Sequence, residues 1–73
     1  MLTDMEKIKI IESRIEQIDY NVRDNIIQIE DIRTITPVDE ETIDAINSHI
    51  SQWLLKKIAL ENELNIINEN VIM

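Results

Sequence analysis

The chain has 73 residues, no cysteine, no glycine and a formal charge of −8. This length allows one domain with a small core, and the missing cysteine excludes a disulfide framework or a thiolate metal site. Fifteen acids against seven bases argue against non-specific binding to nucleic acid or anionic lipid, since both need a basic surface.

The first stretch, MLTDMEKIKIIESR, places acids early and has no unbroken apolar segment, so it does not read as a signal peptide. Apolar runs are only two or three residues long, too short to span a membrane. A cytoplasmic location is therefore expected. Isoleucine supplies 17 residues. Isoleucine, asparagine and lysine share AT-rich codons, a bias that suits a phage or mobile-element accessory gene.

Helix 1 is expected over about 3–33. It opens on Thr3 with Glu6 three residues later, a capping box in which each side chain satisfies a free backbone N–H. Apolar residues then recur at Met5, Ile8, Ile11, Ile15, Ile18, Val22, Ile26, Ile29 and Ile32. Spacings of three and four mark a helix with one apolar seam. β-branched isoleucine is a mediocre helix former, so burial of the seam must hold this helix.

The connection is expected at 34–36, within TITP. Thr36 precedes proline and is biased away from helical geometry. Pro37 suits a first helical position, with Thr36 as its cap. Asp39, Glu40 and Glu41 then place negative charge at the positive end of the helix dipole. Helix 2 is expected over about 37–69, with a frayed tail. Its seam reads Ile43, Ile46, Ile50, Trp53, Lys57, Leu60, Leu64, Ile67 and Val71.

A short link makes the two helices antiparallel neighbours. Facing positions should sum to about 75, so that Ile32 meets Ile43, Val22 meets Trp53 and Ile8 meets Ile67. Each helix of this length spans about 45 Å. The fold class is all-α: one helical-hairpin domain over residues 1–73, coiled-coil-like in its seam. The expected hairpin core is Ile8, Ile11, Ile15, Ile18, Val22, Ile29 and Ile32 against Ile43, Ile46, Ile50, Leu60, Leu64 and Ile67.

Two seam positions are ambiguous. Strict seven-residue spacing puts Asn25 and Lys57 on the seam. A one-residue shift after Val22, a stutter, would substitute Ile26 and Ile58 and move Asn25 to the edge, near His49. The shift is the expected arrangement, because it keeps two polar side chains out of the core.

Many large apolar residues are surplus to the seam, including Ile10, Ile27, Leu54, Leu55 and Ile66. An apolar strip of that size marks an interface. The expected contact residues are Tyr20, Ile26, Ile27, Trp53, Leu54, Leu55 and Ile58. Self-association is expected, most simply a two-fold homodimer forming a four-helix bundle, together with binding of a host or cognate protein.

Catalytic chemistry is scarce, and no enzyme activity, cofactor or metal is expected. His49 has Ser48 and Ser51 nearby, but neighbours at one and two positions point to different helix faces. It reads as a rim residue bonded to the opposite helix. The bundle di-metal motif needs a glutamate three before the histidine, and position 46 is isoleucine. Glu12 and Glu16, with Glu61 or Glu63 across the seam, read as surface acids near Arg14 rather than a cation site. Without glycine, phosphate-cradling loops are excluded.

The stretch ESRIEQIDYNVRDNII is similar to the first helix of the AroQ-type chorismate mutases, which are all-helical dimers. That family needs an arginine seven before the aspartate that Asp19 matches, and Glu12 stands there. The resemblance therefore carries no activity.

The expected function is an acidic helical interaction module, acting as adaptor, inhibitor or assembly factor through an apolar face. One alternative is an oligomeric small-ligand binder, with Tyr20 or Trp53 and Lys56 or Lys57 lining a site between subunits. A third is an acidic mimic of nucleic acid.

Overall fold

The computed structural model describes residues 2–72, and the side chains of residues 2–70. Two helices, α1 (Asp4–Arg33) and α2 (Glu40–Ile72), pack against each other as a hairpin. The molecule is a rod of 57 × 19 × 15 Å.

α1 begins as a capping box. The Thr3 hydroxyl accepts from the Glu6 N–H at 3.2 Å, and the Glu6 carboxylate accepts from the Thr3 N–H at 3.2 Å. Two of the unbonded donors at the helix start are thereby satisfied. At the other end Thr34 stops the helix. Its hydroxyl donates to the Asp31 carbonyl at 2.6 Å, and the Ile35 N–H donates to the Ile32 carbonyl at 3.2 Å.

The connection is longer than the expected 34–36, and α2 starts three residues later than expected, at Glu40 instead of Pro37. Residues 34–39 are non-helical, and the Thr36–Pro37 peptide is cis. Asp39 takes the capping role assigned to Thr36. Its carboxylate accepts from the Thr42 N–H at 3.1 Å and from the Thr42 hydroxyl at 2.6 Å. Its carbonyl accepts from the Ile43 N–H at 3.2 Å. Aspartate is among the strongest N-caps, and Thr42 gives it two donors at once. These bonds, the Thr42 hydroxyl's first among them, hold the Asp39 carboxyl below its usual range. α2 also continues beyond the expected end near 69, through Ile72.

The seam runs unbroken. Ile8, Ile15, Val22 and Ile29 alternate with Ile11, Ile18, Asn25 and Ile32 on α1. Ile43, Ile50, Lys57 and Leu64 alternate with Ile46, Trp53, Leu60 and Ile67 on α2. All sixteen side chains are buried or half-buried. Met5, also expected on the seam, is exposed, and Val71 lies outside the described side chains.

The expected stutter is absent. Ile26 is 45% and Ile58 56% exposed, while Asn25 and Lys57 are half-buried. The physical reason is that Lys57 need not leave its charge in the core. Its stem lies along the seam, and its ammonium donates to the Asp19 carboxylate at 2.7 Å. Long basic side chains place stem and head in different environments in this way. Positions 19 and 57 sum to 76, next to the expected register.

Only Ile11, Ile18 and Ile43 are buried outright among the described residues. A two-layer rod has no third element to close over its seam. The accessible surface is 5771 Å², whereas a folded monomer of this mass normally exposes about 4,700 Å².

Candidate interaction surface

Writing the seam as heptads, with Ile8 and Ile43 at a, places the e and b positions on one side of it and g and c on the other. Lys57 and Asp19 mark the e/b side. The ion pair raises the Lys57 pKa, chiefly through the hydrogen bond to Asp19, and nearby Glu61 acts in the same direction while Arg23 opposes it. Arg23, at b, and Glu61, at e, therefore belong to the same side of the rod.

The residues expected at an interface fall into two groups. Ile26 and Leu54 at e, with Ile58 at b, lie on the side marked by the ion pair. Tyr20, Ile27 and Leu55 occupy f, directly away from the seam. All six are exposed, Leu55 at 67% and Tyr20 at 64%. On the facing register Leu54, Leu55 and Ile58 lie level with Tyr20 near mid-rod, and Ile26 and Ile27 stand nearer the turn. Trp53 belongs elsewhere: it is half-buried in the seam, with the Lys56 ammonium 4.9 Å from its ring centroid. A cation over an indole face is an attractive arrangement. Lys56 is thus directed to Trp53 and Lys57 to Asp19, so the two lysines do not share one target.

The g/c side is different. Near one end, Leu2, Lys7, Ile10, Ile11, Arg14 and Glu63 line an open pocket of about 240 Å³. Glu63 shares this lining with the basic Lys7 and Arg14. His49 is exposed, and among the described residues no hydrogen bond joins it to α1. Asn25 likewise has no bond to it. No group of three acids or histidines is placed to hold a metal ion among the described residues. No helix among them is long and apolar enough to cross a membrane.

Periodicity alone located the surplus apolar residues. It also favoured Ile26 and Ile58 on the seam, because their neighbours at the strict positions, Asn25 and Lys57, are polar. The unbroken seven-residue spacing on both helices, with Asp19 opposite Lys57, is the signal that keeps Asn25 and Lys57 on the seam. Compared with known proteins, the chain matches no family model, no curated protein and no solved structure.

Proposed function

We propose that this protein is a helical interaction module that works by covering its mid-rod apolar strip. The observation that carries this reading is the exposure of Ile26, Leu54 and Ile58 on one side of the rod, with Tyr20, Ile27 and Leu55 exposed on its outer faces. Each large aliphatic contributes about 1.5–3 kcal/mol when taken fully out of water. Covering these side chains would add to the burial that the sixteen seam side chains already supply.

The rod carries the strip on helical faces, which suits packing against another helix. Adaptor, inhibitor and assembly roles all use such a face. The acidic surface on either side keeps the protein away from nucleic acid and anionic membranes.

The test is retention on immobilised protein, either of its own free copy or of a partner, compared with Leu54→Glu/Leu55→Glu. Both positions are exposed, so the substitution leaves the seam in place. The variant is expected to lose at least nine-tenths of the retained material, roughly the effect of 1.4 kcal/mol. Equal retention by the two proteins would overturn the reading.

A further inference from the structure

Resting on that reading, we infer that the side of the rod holding Ile26, Leu54 and Ile58 takes a basic amphipathic helix of another protein, apolar at its middle and cationic at both ends. The apolar part is short. Each of the three side chains is about half exposed. On the facing register Ile58 stands opposite position 17 and Leu54 opposite position 21, so with Ile26 they span about 14 Å of the rod.

What flanks them gives the partner's charge. Beyond Ile58, Glu61 of α2 comes level with α1 between Glu12 and Glu16. Beyond Ile26, Asp44 of α2 comes level with α1 beside Glu30. Acids from both helices thus meet on this side at each end of the apolar stretch, and all five are exposed. Lys57 with Asp19 is the one ion pair among the described residues, so these five acids have no basic partner there. Lys9 and Arg33 lie farther out toward the rod's ends. The opposite side has no such excess, because Lys7, Arg14 and Lys56 balance Asp24, Asp31 and Glu63.

The register also sets the partner's length. The two acidic levels lie about 25 Å apart along the rod, the length of a helix of about 17 residues. Between them Lys57 and Asp19 neutralise each other, and Arg23 stands exposed on the same side. A cation at the partner's middle would meet Arg23. Its bases therefore belong at its ends and its apolar face at the centre, the arrangement that opposite charges across an interface favour. A second copy does not supply it, because neither side of the rod carries an excess of bases. Tyr20, Ile27 and Leu55 occupy the outer faces and lie outside this contact.

The test uses the whole chain and two labelled helical peptides of about 18 residues, with binding read by fluorescence anisotropy. Both carry leucine at three- and four-residue spacing in the middle. One has two lysines at each end, the other two glutamates. The lysine peptide should bind at least about tenfold more tightly. Glu16→Lys/Glu61→Lys and Glu30→Lys/Asp44→Lys reverse one acidic level each, and each should weaken the lysine peptide about tenfold. Asp31→Lys/Glu63→Lys makes the same change of charge on the opposite side. It should leave the affinity within about twofold, because exposed charges more than about 10 Å away are largely screened.

No preference for the lysine peptide, or equal losses in all three variants, would overturn the basic partner while leaving the interaction reading intact. A wild-type dimer by light scattering that Ile58→Glu converts to a monomer would assign this side to a second copy and overturn it too. The interaction reading fails separately, if Leu54→Glu/Leu55→Glu leaves retention unchanged.

Discussion

Asn25 and Lys57 are the two polar residues of an otherwise apolar seam, and they are handled differently. Lys57 carries its charge out to Asp19. Because its folded pKa is raised, the stability it contributes is fully present below the unfolded lysine value and is lost as pH rises through the folded one. A base titration followed by circular dichroism should show that loss, and Asp19→Asn should remove it. Asn25 is half-buried with no partner among the described side chains. Replacing it with isoleucine should stabilise the hairpin by about 1 kcal/mol from added apolar burial, read as a melting temperature higher by about 4–8 °C. A lower melting temperature would mean that the amide makes a bond the fold depends on. The ion pair continues to fix the register in that variant, so the gain in stability does not come with slippage of the helices.

At the scale of the helices, the capping box at Thr3, the seam and the hairpin were legible in the sequence because each rests on spacing alone. The start of α2 was not. Thr36–Pro37 and Asp39–Thr42 are both credible helix openings, three residues apart, and sequence order does not rank them. The hydroxyl and N–H of Thr42 converging on one carboxylate decide for Asp39. The choice has a pH signature. The Asp39 carboxyl is held below its usual range, so its contribution is present above the unfolded value and is lost as pH falls through the folded one. Asp39→Ala should lower the melting temperature at neutral pH. Asp39→Asn should keep most of the cap and flatten the acid dependence below about pH 4. An unchanged acid limb in Asp39→Asn would assign that limb to other carboxylates.

At the scale of the whole molecule, a 57 Å rod with three buried side chains among the described residues stands near the lower limit of what one hydrophobic core can hold. If a second copy completes it, stability is tied to protein concentration by mass action. The melting temperature should climb over a hundredfold rise in concentration, and a constant value would show that the hairpin stands alone. The proposed interface residues were legible as a surplus, since the seam has no place for Ile10, Tyr20, Ile27, Leu54, Leu55 and Ile66. Their assignment to particular sides of the rod was not, because it depends on the helical phase, and that turned on Lys57 reaching Asp19. The antiparallel register also orders events in time. Ile32 and Ile43 are eleven residues apart in the chain, whereas Ile8 and Ile67 are separated by most of its length, and Ile43 is the most deeply buried of the described residues at 1% exposure. Loop closure is easiest for the near pair, so pairing should start beside the turn and run outward like a zipper. Ile43→Val should then slow folding, while Ile67→Val should chiefly hasten unfolding.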